Sequence, residues 1–110
     1  MNRAQRRTEY LARRPAVRAA VFQRDRGRCR ACGVGVRLHG HPRVVANMHE
    51  LVPRSLGGSP LDSKNVITLC PQCHRDTSMR VGGKRLLMTS VSDKGADGII
   101  VAIFLRHARV

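Results

Sequence analysis

The sequence predicts a small α+β domain in which strand, long loop, strand and helix form a centre stapled by four cysteines, with a basic helix before it and a β-hairpin after it. Three observations carry that prediction. The chain has 110 residues and only three aromatics, Tyr10, Phe22 and Phe104. A chain of this length buries about two-thirds of its unfolded surface, so its hydrophobic core is thin and needs a staple. Two matched Cys-x-x-Cys pairs, Cys29/Cys32 and Cys70/Cys73, can supply one. Around them, short β-branched runs alternate with stretches rich in Pro, Gly, Ser and Asp.

Taken in order, residues 1–14 are expected to be a disordered basic arm, because Arg13-Arg14-Pro15 interrupts a continuous helix. Ala16, Val17, Ala20 and Val21 then recur at helical spacing up to Gly27, which predicts a basic amphipathic helix near 15–26. Gly33, Gly35, Gly40 and Pro42 mark a loop carrying His39 and His41. Arg43 to Met48, with Val44 and Val45, reads as the first strand. Pro53 to Lys64 is turn chemistry throughout and predicts an ordered surface loop. Val66-Ile67-Thr68-Leu69 is the second strand, and Pro71 opens a helix that runs from Cys70 to about Val81 and stops at Gly82-Gly83. Arg85 to Val91 and Ile99 to Leu105 flank Ser-Asp-Lys-Gly-Ala-Asp-Gly and read as an appended hairpin. The expected division is therefore an arm at 1–14, a central domain at 15–83 and a hairpin extension at 84–110.

The chain carries 21 Lys+Arg against 7 Asp+Glu, a net charge of +14. Arg outnumbers Lys 18 to 3, and residues 1–43 alone hold twelve Arg against Glu9 and Asp25. Guanidinium forks match phosphate geometry better than ammonium groups do, so the expected partner is a polyanion. Candidate phosphate contacts are Arg18, Arg24, Arg54 and Arg75. No stretch approaches the ~20 apolar residues that cross a bilayer, and no export signal is evident, so a cytoplasmic protein that does not span the membrane is expected. In that compartment disulfides are disfavoured. Four thiolates arriving as two Cys-x-x-Cys units are instead the ligand set of a tetrahedral structural zinc site, formed by Cys29, Cys32, Cys70 and Cys73.

A second constellation falls in the central unit: His49-Glu50 at the end of the first strand, Asn65 at the start of the second, and His74 in the first turn of the helix. A hairpin packed on a helix brings the strand end and the helix start together. Cys73 and His74 are about 100° apart around the helix, so one can turn to zinc while the other faces a different site. A second metal held by His49 and His74 would suit phosphodiester hydrolysis, with Glu50 as the base and Asn65 pinning the Pro53–Lys64 loop through backbone hydrogen bonds.

The runs His49-Glu50-Leu51-Val52-Pro53-Arg54-Ser55-Leu56-Gly57-Gly58 and Asn65-Val66-Ile67-Thr68-Leu69-Cys70-Pro71-Gln72-Cys73-His74 resemble the HNH endonucleases of zinc-stapled ββα-metal fold. The approach Arg24-Asp25-Arg26-Gly27-Arg28-Cys29-Arg30-Ala31-Cys32 matches them as well, so the likeness covers roughly residues 18–80. The resemblance implies that His49 and His74 bind a catalytic Mg²⁺, Mn²⁺ or another divalent ion. It implies that Asn65 orients loop and base, that the four cysteines hold structural zinc, and that the substrate is DNA; the Arg-rich helix and the lack of an aromatic platform in the central unit add the expectation of a double strand held by its phosphates with little sequence selectivity. Many members serve phages or mobile elements, which makes a phage terminase a conceivable protein partner. One position departs from the pattern: Glu50 stands where the family usually has a histidine base. Glu50 is then the base, a third metal ligand, or the mark of a non-catalytic DNA-binding or packaging module.

Overall fold

The computed structural model describes residues 1–78 and 84–106. Its first element, helix α1, runs over Arg3–Arg24 and contains Pro15. The expected start near residue 15 is thus corrected: no arm stands apart from the helix, which crosses the expected boundary between residues 14 and 15. The reason is a capping box, in which Asn2 Oδ1 accepts from the Gln5 N–H and Gln5 Oε1 from the Asn2 N–H, each at 2.8 Å. This reciprocal cap satisfies donors at the helix start and fixes it twelve residues earlier than the proline alone suggests. At the far end Val21 is fully buried, and Arg26 and Gly27 take positive φ to turn the chain into the first cysteine pair.

Strand β1 is Asn47–Glu50 and strand β2 is Val66–Leu69, paired antiparallel with His49 opposite Ile67. The expected first strand at 43–48 is thereby shifted toward the C-terminus. Residues 42–44 turn instead, because His41 O accepts from the N–H groups of both Val44 and Val45, and His41 Nδ1 accepts from the Arg43 N–H. The Pro53–Lys64 loop is ordered, as expected, by two 3₁₀ turns over Arg54–Leu56 and Ser63–Asn65. Helix α2 follows over Pro71–Ser78; the expected stop at Gly82-Gly83 lies outside the described residues.

Strands β3 (Lys84–Ser90) and β4 (Ile100–Arg106) form the expected hairpin. It is no mere appendage, since Leu86 and Met88 of β3 and Ala96 of its connection join Ile67, Leu69, Cys29, Cys70 and Cys73 in one buried cluster. All four residues of β2 are buried, with α1, α2 and the hairpin around it. The core is as thin as the composition implies, and three of the four cysteines are part of it.

Candidate active site

The two Cys-x-x-Cys turns meet at the bottom of the core. All four sulfurs lie within 4.8 Å of one another, and Cys32 Sγ is 3.8 Å from Cys70 Sγ. A metal–sulfur distance of ~2.3 Å in a tetrahedron puts sulfurs roughly 3.8 Å apart, so this cage fits an ion of zinc's size. Backbone N–H groups support the sulfurs, from Ala31 to Cys29 and from Cys73 to Cys70, each at 3.4 Å. Burial pushes the Cys70 and Cys73 thiols up, and the crowd of neighbouring sulfurs pushes Cys73 further. At Cys29 burial is outweighed by the backbone N–H groups of Cys32, Cys70 and Ala31, which lower the thiol, whereas Cys70 and Cys73 resist becoming anions unless a cation sits between the sulfurs, which is the chemistry of a metal-binding set.

On the other side of α2, one residue after Cys73, His74 approaches His49 at the end of β1. Their ring centroids are 5.9 Å apart and the planes are inclined at 76°. Two imidazoles sharing one ion at ~2.0–2.1 Å place their centroids roughly 5–6 Å apart, so the separation of this pair is compatible with a shared metal. Burial, with the His74 charge adding to it, pushes His49 down to about 4, and burial lowers His74 as well. Both rings are therefore neutral near pH 7, the state in which a ring nitrogen can ligate. Glu50 borders this centre from both sides. It lines a cleft of about 420 Å³ together with His74, Tyr10 and Arg14, and a hollow of about 170 Å³ together with His49 and Arg85. Its carboxylate accepts from Arg54 Nε at 3.3 Å.

Asn65 is buried and ties the loop as its sequence position suggested. Its Oδ1 accepts from the Val52 N–H at 2.8 Å, and its Nδ2 donates to Val52 O at 2.9 Å and Ser59 O at 3.1 Å. The residue after His49-Glu50-Leu51 is thus clamped to the start of β2. Gly57 closes the intervening 3₁₀ turn with φ of +92°. Gly58 is needed for another reason: a Cβ there would overlap Val52 O and stand 2.8 Å from Asn65 Nδ2. Gly58→Ala is expected to pry the clamp apart and cost about 1–3 kcal/mol, the usual range for forced overpacking. Chemical denaturation checks this, and an unchanged midpoint would refute the clamp.

Residues 29–80 match the family described as HNH endonuclease. This segment, just under half of the chain, is similar to an HNH domain. The chain is also 30% identical over 82 residues to the type IV methyl-directed restriction enzyme EcoKMcrA of Escherichia coli strain K12. That match covers 72% of this chain and 28% of the enzyme, so the chain spans little more than a quarter of that relative's length. Family and relative together point to a nuclease-type domain. Among the described residues no helix is long and apolar enough to cross a membrane.

Around the HNH-like segment the arginines divide into two groups. Arg18 and Arg24, read from the sequence as phosphate contacts, bond to the protein's own backbone, and Arg18 also lines the cleft. Arg18 donates to Leu38 O and Ala46 O, at 2.7 and 2.8 Å. Arg24 grips Asp25 with two bonds and donates to Ser63 O and Val66 O, both at 2.6 Å. These guanidiniums tie α1 to the loop and sheet. Arg54 and Arg75 remain at the surface, and among the described residues the Arg75 side chain bonds only to Gln72 on its own helix. Arg85 was missed: it is exposed on β3 and lines the hollow beside His49. Nothing in the local sequence marks it, since only the packing of the hairpin on the shared core brings it there. His39 lines a separate hollow with Leu11 and Pro15, and His41 caps its own turn, so neither joins the His49 and His74 pair.

Proposed function

We propose that the chain is a divalent-metal-dependent DNA endonuclease or nickase, with zinc in the four-cysteine cage and the reaction at the His49–His74 pair. The observation that carries this reading is the 5.9 Å approach of those two neutral imidazoles, with Glu50 at their side and Asn65 holding the loop that follows. His49 and His74 would hold Mg²⁺, Mn²⁺ or a similar ion. Bound there, such an ion supplies positive charge to the phosphate and to the departing 3′ oxygen as negative charge develops.

The protein's own groups do the rest. Glu50 accepts the proton of the attacking water, and its hydrogen bond from Arg54 keeps the carboxylate aimed. Asn65, through Val52, fixes the end of β1 so that His49 and Glu50 hold their angle. Arg54, bonded to Glu50, and Arg85, in the hollow with His49, flank the centre with guanidiniums suited to duplex phosphates, Arg75 offers a further one at the surface of α2, and contacts of that kind carry no base sequence.

The test is nicking of supercoiled plasmid with Mg²⁺ or Mn²⁺. The wild type is expected to nick. His74→Ala is expected to lose nicking while keeping its zinc and its circular dichroism spectrum, and Glu50→Gln to slow it by about 10²–10⁴-fold, the usual weight of a general base. A wild type that binds DNA yet never nicks with any divalent ion would overturn the enzymatic reading in favour of a DNA-binding module.

A further inference from the structure

The first turns of α1 lie outside the segment that matches the HNH family, and they are unusual as a helix start. Arg3, Arg6, Arg7 and Tyr10 recur at i, i+3, i+4 and i+7, which places them on one face, and Arg14, Val17 and Val21 continue the same stripe to the core. The lower stripe walls the cleft that holds Glu50 and His74. The upper stripe walls a second groove of about 520 Å³, shared with Arg54 and Pro60 of the pinned loop. Tyr10 and Pro60 border both spaces, so cleft and groove adjoin there.

Tyr10 also orders the guanidiniums at that junction: Arg54 lies over its ring at 4.7 Å and Arg14 at 5.9 Å. The first turn contains no acidic residue, and along residues 3–14 the one acid, Glu9, is paired with Arg13 at 2.9 Å. Cations in a first turn oppose the helix dipole, so this end of α1 carries repulsion that an external anion relieves. Arg3, Arg6 and Arg7 are exposed and make no hydrogen bond through their side chains among the described residues. From Arg3 to Arg14 the helix rises ~16 Å, and one DNA strand presents a phosphate per ~3.4 Å of axis, so the stripe can meet several phosphates in succession.

We infer that this groove is a binding track for the backbone of double-stranded DNA leading into the cleft, with Arg3, Arg6, Arg7 and Arg54 as the phosphate contacts and Tyr10 as the residue that positions Arg54. The track rests on the proposed nuclease reading only for its destination. Its binding is therefore measured without added divalent ion, on the zinc-loaded full chain, where cleavage plays no part.

The experiment follows duplex DNA affinity against salt concentration for the wild type, for Arg3→Gln/Arg6→Gln/Arg7→Gln, and for a control of equal charge, Arg26→Gln/Arg37→Gln/Arg43→Gln. The control residues are exposed and border neither cleft nor groove. Losing three phosphate contacts lowers the log–log salt slope by about 2.7, at ~0.9 per contact. That fall is expected for the first triple variant and not for the control. Tyr10→Ala is expected to weaken binding about two- to fivefold and Tyr10→Phe to restore most of it, because Phe keeps the ring face that lies under Arg54.

Equal slope losses in both triple variants would reduce the effect to net charge and overturn the track, as would an unchanged slope in the first. A stripe variant that keeps its DNA slope but loses binding to vesicles of anionic phosphatidylserine would overturn it in favour of a membrane surface. If the slope falls as expected while the plasmid is never nicked, the track stands and the catalytic reading fails. If nicking occurs and the slope is unmoved, the outcome is reversed.

Discussion

Cys70→Ser is expected to leave the chain unfolded or insoluble, and chelation is expected to unfold the wild type. Cys29, Cys70 and Cys73 are not surface ligands clipped onto a finished fold; they share one buried cluster with Ile67, Leu69, Leu86 and Met88. Structural zinc in comparable small sites contributes about 10–16 kcal/mol at pH 7, as much as the whole stability of a typical domain, ~5–15 kcal/mol. Without the ion, the sulfurs lose their common partner and the two turns they anchor separate. Acid acts in the same direction, because the ligands are thiolates and protons compete for them. Far-ultraviolet circular dichroism with parallel metal analysis is the measurement, and a metal-free chain with a native spectrum would sink the prediction. His74→Ala, one residue from Cys73 but turned to the other centre, is expected to keep both spectrum and zinc.

Much of the candidate site was legible because its signals are local. Cysteine spacing, the Pro71 helix start, the β-branched run of β2 and the place of Asn65 before it each act within a few residues. The hydrogen bonds of Asn65 to Val52 and Ser59 follow from that place, as an amide at the mouth of a loop finds the loop's own backbone. Where two local signals conflicted, reading one of them misled. Pro15 suggests a break, but the Asn2/Gln5 box lies upstream and the helix runs through. The turn after His41 displaced the first strand because Val44 and Val45 favour a strand only where their backbone is free to pair.

The long-range features were not legible at all. Arg18 and Arg24 look like DNA contacts in a chain of net charge +14, and nothing nearby in sequence says that carbonyls 20 to 42 residues away will claim them. Arg85 reaches the His49 hollow only because β3 packs on the same core as β2.

The Asp25 carboxylate shows how far such a long-range arrangement can decide stability. Its side chain is fully shielded from solvent and lies between two guanidiniums, with Arg30 at 2.7 Å and Arg24 at 2.9 Å, and it accepts from the Thr68 N–H at 2.9 Å. Arg30 continues to Ala96 O and Gly98 O, and Arg24 to Val66 O, so one carboxylate joins the end of α1, strand β2 and the hairpin connection. Burial alone would push this acid up, but the hydrogen bonds from Arg24, Thr68 and Arg30 outweigh it and hold the carboxyl below its usual value. Asp25→Ala is expected to cost about 3–5 kcal/mol, since removing one partner strands the others half-buried and uncompensated. The pH dependence has a definite sign. A carboxyl depressed by folding adds stability that is complete above the unfolded value of ~3.9, and that stability is lost as pH falls through the lower folded value. Acid titration of wild type and Asp25→Ala, with zinc release followed in both, separates this loss from thiolate protonation. The variant is expected to start less stable and to lose less between pH 4 and lower pH. Equal losses in both would mean that Asp25 titrates alike folded and unfolded, and the hub would then carry none of the acid sensitivity.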